Sequence, residues 1–249
     1  MNVQNMNAND LLLYAVTDRV WIDNENDCKE IDELLKDLNI PELENVSDNV
    51  NVYEMEKCKK LSQQVKKSLD GGATFMQLRE KNLSAKEFEI EGKIIKALCS
   101  HYSVPFVIND DVELAIKIGA DGVHVGQNDM MACDVRKLIG KDMILGVSAQ
   151  TVEQAVEAEK NGANYLGVGA IFSTDTKKDA DDVSIETLEE ICRAVKIPVI
   201  AIGGITAENL EKLSQSGIVG VAVVSAIFAG EDIKKDTETL LEKCKEVFK

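Results

Sequence analysis

The stretch Ile116-Lys117-Ile118-Gly119-Ala120-Asp121-Gly122-Val123-His124-Val125-Gly126 carries the unit from which the fold is read. Its first residues close an amphipathic segment, Gly119 is the kind of residue that stops a helix, and 122–126 is a short β-branched run. The same order of helix, glycine and strand recurs, with a Gly-Ala or Gly-Ile step before the next apolar run at Gly72, Gly162 and Gly217. Worked outward, the spacing predicts eight strands, at 11–17, 73–79, 105–108, 122–126, 143–147, 165–171, 198–202 and 220–225. Each is followed by a stretch with helical spacing. In 85–99, Phe88, Glu91 and Ile95 trace successive turns, and in 151–161, Val152, Ala155, Val156 and Ala158 share a side.

Strands that read as continuous apolar runs belong to parallel sheets covered on both faces. An open doubly wound sheet would give the same alternation, but a count of eight favours closure. Gly167-Val168-Gly169 also lacks the third glycine of a dinucleotide fingerprint. The expected fold is therefore α/β, a closed (β/α)8 TIM barrel forming a single domain over 1–249.

One segment breaks the rhythm. Between the first strand and its helix, an insertion at about 23–57 holds twelve acidic and three basic residues, which is −9 of the chain's net −16. Within it Ile31, Leu34, Leu35 and Leu38 follow helical spacing up to a break at Pro41, so an ordered helix is expected. Because the segment follows a strand, it is expected on the catalytic side, folding over the rim as a lid or serving as a subunit contact. A surface this negative disfavours nucleic acid and anionic membrane as partners. The six cysteines form no Cys-x-x-Cys or zinc-spaced cluster, and the N-terminus lacks a basic start followed by an apolar run, so a cytoplasmic protein is expected.

Barrel active sites sit at the C-terminal ends of the strands, which directs attention to the polar residues after each run. Gln77, Arg79 and Lys81 lie on one side of an extended chain and face the mouth if Phe75 faces the interior. In Asn109-Asp110-Asp111 one aspartate suits a helix cap, leaving Asn109 and Asp110 at the mouth with Asp129 as a second carboxylate. Two carboxylates beside cations suit Mg²⁺ shared with substrate phosphates, although a helix cap accounts for part of the same pattern. The loop 173–179 is long and rich in hydroxyls and lysines without a Walker frame. Gly203-Gly204 and Val224-Ser225 stand where barrels bind phosphate, or where a tight turn needs glycine. His124 reads as a satisfied interior residue before it reads as a general base, and no nucleophile elbow is present.

These residues occur in the segments YAVTD (14–18), QLREK (77–81), VIND (107–110), DGVHVGQ (121–127) with Asp129, LGVS (145–148), STDTKKD (173–179), IGGIT (202–206) and VVSAI (223–227). In these segments the chain resembles the thiamine-phosphate synthase family. The resemblance implies a transferase that joins an aminopyrimidine diphosphate to a thiazole phosphate and releases diphosphate. It further implies that Gln77, Arg79, Lys81, Asn109, Ser148 and Lys177 hold the pyrimidine diphosphate, with Arg79, Lys81 and Lys177 as the catalytic cations. Asp110 and Asp129 would bind one Mg²⁺ per subunit, and Thr174, Thr176, Gly204, Val224 and Ser225 would hold the thiazole phosphate.

The chain departs from the family's usual pattern at Ser173, where a proline is common, at Ile218-Val219, where Ala-Asp is common, and in the acidic insertion. Two rival readings stand beside the synthase: a related thiazole tautomerase, and a non-catalytic binder of phosphorylated thiamine precursors. Partners are expected to be small phosphorylated molecules, and a homo-oligomer stays open.

Overall fold

The computed structural model describes residues 6–24, 28–38, 52–173 and 182–248. The eight expected strands are all present: β1 (Leu13–Val16), β2 (Phe75–Leu78), β3 (Phe106–Asn109), β4 (Gly122–Val125), β5 (Ile144–Ala149), β6 (Tyr165–Val168), β7 (Val199–Ile202) and β8 (Gly220–Val223). Each pairs in parallel with its neighbour in sequence, and β8 returns to β1 to close the barrel. The helices are α1 (Lys29–Asp37), α2 (Val52–Asp70), α3 (Ala85–His101), α4 (Val112–Ile118), α5 (Ala132–Ile139), α6 (Val152–Lys160), α7 (Ile185–Ala194), α8 (Ser225–Phe228) and α9 (Ile233–Val247).

Local chemistry sets the element boundaries. Gly119 ends α4 with φ 65°, a left-handed conformation that returns its N–H to the last helical carbonyls without a Cβ clash. Asp111 starts the same helix by accepting the Leu114 N–H at 2.8 Å, as expected of one aspartate in the Asn-Asp-Asp run. The connection between β7 and β8 departs from the expected α-helix and is a 3₁₀ turn, Leu210–Leu213. Just before it, the Asn209 side chain accepts the Thr206 N–H at 2.9 Å and donates to the Gly204 carbonyl at 2.8 Å, tying the turn to the end of β7.

Strand alternation divides the apolar residues into two cores. Outward-facing side chains pack with the helices, while Leu11, Tyr14, Val16, Phe75, Val107, Ile144, Tyr165, Ile200 and Ala222 fill the bore. The rings of Tyr14, Phe75 and Tyr165 meet there at centroid distances of 4.5, 5.9 and 5.7 Å.

The insertion supplies the helix expected within it. Its helix forms over Lys29–Asp37, but it packs along α2 with Ile31 and Leu35 buried in the outer core. The Gln63 side chain accepts the Ile31 N–H at 2.9 Å, and Asp32 pairs with Lys59 at 2.8 Å. The described part of the insertion thus thickens the helical layer instead of covering the mouth, because its apolar stripe finds its partner on α2. The first turn of α2 itself lies within the 23–57 segment; 39–51 lie outside the described residues. Among the described residues no helix is long and apolar enough to cross a membrane.

Candidate active site

With Phe75 in the bore, the pleat turns Gln77 to the same side one step higher. Gln77 is buried and its Nε2 donates to the Tyr14 hydroxyl at 2.6 Å. Past the last ladder pair, the Arg79 N–H is held by Thr17 Oγ1 at 3.0 Å, and its guanidinium lies 3.6 Å from the Asp18 carboxylate. Lys81 is exposed beyond it.

At the end of β3, Asn109 Nδ2 donates to Asp110 Oδ2 at 2.6 Å. Asp110 has φ 65°, and its N–H bonds the His124 carbonyl of the adjacent strand at 2.9 Å. After β4, Asp129 Oδ2 accepts the Gly126 N–H at 2.7 Å. Gln127 reaches the Ser148 carbonyl at 2.6 Å and ties this loop to β5. Gln77, Arg79, Asn109, Asp110, Asp129 and Ser148 are therefore gathered at the ends of strands β2 to β5.

Gly204, Val224 and Ser225 stand apart from that group, at the ends of β7 and β8. Gly203 and Gly204 have φ of 99° and 62°. A Cβ on Gly204 would lie 2.5 Å from the Ser173 carbonyl oxygen, so the chain after β6 passes against it. Ser173 is exposed, and the Ile218-Val219 departure lies in packing, with Ile218 in the outer core and Val219 against the bore. Thr174, Thr176 and Lys177 lie outside the described residues.

His124 is buried, with Nδ1 3.0 Å from the Tyr165 hydroxyl and Nε2 3.0 Å from Ser148 Oγ. The Tyr165 hydroxyl in turn lies 2.9 Å from that of Tyr14. Burial raises the pKa of both tyrosines well above the ordinary phenol value, so both stay protonated. Tyr14, Tyr165 and His124 form the floor beneath Gln77 and Ser148, a role that sequence reading did not assign to the tyrosines. Its signal was present in bare positions on β5 and β6. A Cβ on Gly146 would come within 2.3 Å of the Tyr165 oxygen and 2.4 Å of His124 Nδ1, and one on Gly167 within 3.2 Å of His124 Cε1.

Asp110 and Asp129 offer hard oxygen donors, exposed at neighbouring strand ends, which fits Mg²⁺. Among the described residues no three His, Cys, Asp or Glu side chains converge as a cage. An ion on these two carboxylates would complete its shell with water or phosphate oxygens, as Mg²⁺ does.

Comparison with known proteins adds a separate line of support. Residues 50–227 match the family described as thiamine monophosphate synthase. Thiamine-phosphate synthase of Ruminiclostridium cellulolyticum is 52% identical over 193 residues, 78% of this chain and 92% of that protein. The enzyme of the same name from Clostridium tetani is 52% identical over 180 residues, 72% of this chain and 86% of its own. Among solved structures, thiamine phosphate pyrophosphorylase from Pyrococcus furiosus superposes with a TM-score of 0.77 at 33% identity, covering 97% of this chain and 99% of that one.

Proposed function

The chain belongs to the thiamine monophosphate synthase family, and from that premise we propose that it joins an aminopyrimidine diphosphate to a thiazole phosphate, forming thiamine phosphate and diphosphate. The observation that carries the reading is the convergence of Gln77, Arg79, Asn109, Asp110, Asp129 and Ser148 at one end of a closed barrel in a chain so similar to these enzymes.

The bond that breaks joins the pyrimidine's exocyclic carbon to the diphosphate oxygen, and the electron pair leaves with diphosphate. The electron-rich aminopyrimidine stabilises the carbon cation, and the lone pair of the thiazole nitrogen forms the new C–N bond. No protein nucleophile takes part. The chain's task is to stabilise negative charge growing on the leaving group, which Arg79, Lys81 and Lys177 do as preorganised cations. Asp110 and Asp129 would hold Mg²⁺, which when bound supplies further charge to the diphosphate oxygens. Gln77, Asn109 and Ser148 orient the pyrimidine diphosphate. Thr174, Thr176, Gly204, Val224 and Ser225 hold the thiazole phosphate opposite it. A small-molecule enzyme of this kind needs neither nucleic acid nor membrane.

Diphosphate release from both substrates with Mg²⁺ tests the activity, and absence of product from folded protein overturns it. A tautomerase would alter the thiazole phosphate alone, and a binder would retain both substrates unchanged. Lys177→Ala is expected to lower kcat by about 10²- to 10³-fold, the usual loss for one such donor. An unchanged rate would remove Lys177 from the leaving-group role.

A further inference from the structure

Glu80 stands between Arg79 and Lys81 in sequence and points to the opposite side of the chain, as strand alternation requires. There it meets Arg19, whose Nε donates to Glu80 at 2.7 Å, Nη2 to Glu91 of α3 at 2.5 Å and Nη1 to Glu54 of α2 at 3.2 Å. Consecutive residues after β1 thus grip consecutive residues after β2. Thr17 and Asp18 hold Arg79, Arg19 holds Glu80, and the Thr17 N–H bonds the Gln77 carbonyl at 3.0 Å.

The carboxyl groups of Glu80 and Glu91 are nearly inaccessible, with 2% and 1% exposure. Each also has an Oε1 that receives no N–H or O–H from any other residue. Both carboxyls are held on the one Arg19 guanidinium, and buried carboxyl oxygens that lack a donor can satisfy each other only through a proton. Burial raises the pKa of both above the ordinary carboxylate value. Repulsion from Glu80 adds to the rise at Glu91. One proton shared by the pair leaves a single negative charge between them facing Arg19, and Glu91, the less exposed of the two, is the member neutralised by substitution below. Among the described residues the other ionisable groups around the pair are Asp18, Glu54 with Lys57 3.5 Å from it, Cys58 on α2 and Glu87 on α3.

We propose that Arg19, Glu80 and Glu91 are positioning residues of the diphosphate site, in which a proton shared between the two glutamates anchors the end of β2 and turns Arg79 and Lys81 toward the mouth. This rests on the assignment of Arg79 and Lys81 to the diphosphate. Loss of the shared proton puts two buried like charges beside one guanidinium and releases the anchor. The sign follows from linkage. The folded state holds the proton more tightly than an ordinary glutamate of pKa 4.5, so the stability contributed is full below that value and declines as pH rises through the folded pKa.

The experiment compares Glu91→Gln, Glu91→Ala and Glu80→Ala in the full chain with both substrates and Mg²⁺. The Gln amide imitates the protonated carboxyl, donating to Glu80 and accepting from Arg19. The parent is expected to show a rise in KM for the pyrimidine diphosphate with increasing pH, and Glu91→Gln to keep the parent's kinetics at low pH and to lack that rise. Glu91→Ala and Glu80→Ala are expected to raise that KM about tenfold or more, leaving KM for the thiazole phosphate unchanged. The proposal is overturned if Glu91→Gln is as damaging as Glu91→Ala, or if both KM values rise together. It also fails if the pH dependence of thermal unfolding is the same in Glu91→Gln as in the parent, a readout that needs no activity and stands even if an alanine variant fails to fold. Arg79→Ala and Lys81→Ala test the underlying assignment separately: if both retain the parent's kinetics, the diphosphate reading fails whatever the unfolding profiles give.

Discussion

Gln77 and Ser148, three strands apart on the barrel wall, are joined by an unbroken hydrogen-bond chain through Tyr14, Tyr165 and His124. Gln77 Nε2 donates to the Tyr14 hydroxyl at 2.6 Å, the Tyr14 and Tyr165 hydroxyls lie 2.9 Å apart, and His124 joins Tyr165 to Ser148 Oγ through its two ring nitrogens, each at 3.0 Å.

Tyr165→Phe removes the middle of that chain. It leaves the Tyr14 hydroxyl and His124 Nδ1 buried with one partner fewer, at a cost of about 1–3 kcal/mol for each unsatisfied group. Denaturant unfolding should report the loss, and KM for the pyrimidine diphosphate should rise with it. An unchanged midpoint would mean that the chain contributes nothing to the fold.

Gly204→Ala tests the other half of the mouth. The residue has φ 62°, and a Cβ there would stand 2.5 Å from the Ser173 oxygen and 2.7 Å from the Phe172 oxygen, both backbone atoms. The loop after β6 must move away. We expect KM for the thiazole phosphate to rise with little change in that for the pyrimidine diphosphate, checked by varying each substrate in turn.

Arg136 offers a contrast at the opposite end of the barrel. Its guanidinium donates to the carbonyls of Gly140, Met143 and Gly162 and to Asn164 Oδ1, binding together the segments that enter β5 and β6. Arg136→Ala should cost at least about 1.5 kcal/mol, the lower end for hydrogen bonds to a charged group. It should leave kcat unchanged at temperatures where the variant is folded, since this end of a barrel serves stability. Calorimetry with steady-state kinetics on one sample decides it.

Asp70 makes acid stability testable. Lys66 at 2.7 Å and the Tyr102 hydroxyl at 2.5 Å both donate to it and hold its pKa below the ordinary 3.8, while burial and this carboxylate push the Tyr102 phenol up to about 12. A depressed carboxylate contributes stability above its ordinary pKa and loses it as pH falls through the folded value. Asp70→Asn should therefore be less stable than the parent at neutral pH and should approach it below about pH 4. Thermal melts across that range check the sign.

Much of the fold was legible from local pattern. Eight apolar runs became eight strands, and Gly119 ends its helix in the left-handed conformation that singled it out. Gln77, Asn109, Ser148 and Ser225 stand at the ends of their strands, while Thr174, Thr176 and Lys177 lie outside the described residues. Local pattern did not give the 3₁₀ turn at Leu210–Leu213, nor the partner of the stripe of Ile31 and Leu35, which is α2, a later element of the chain.

The sequence by itself determined the period of the chain, the identity of the strands and which residues follow them, because alternation, capping and glycine stops are properties of neighbours. Only the tertiary structure decided that Tyr14, His124 and Tyr165 meet over Gly146, and that Arg19 holds Glu80 beside Glu91. The bonded pairs among those groups are 41 to 151 residues apart along the chain, and what brings them together is the pairing and closure of the barrel strands. A closed bore has room for a ring from one strand only where another strand has none, and a buried charge persists only where opposite charge or a proton meets it.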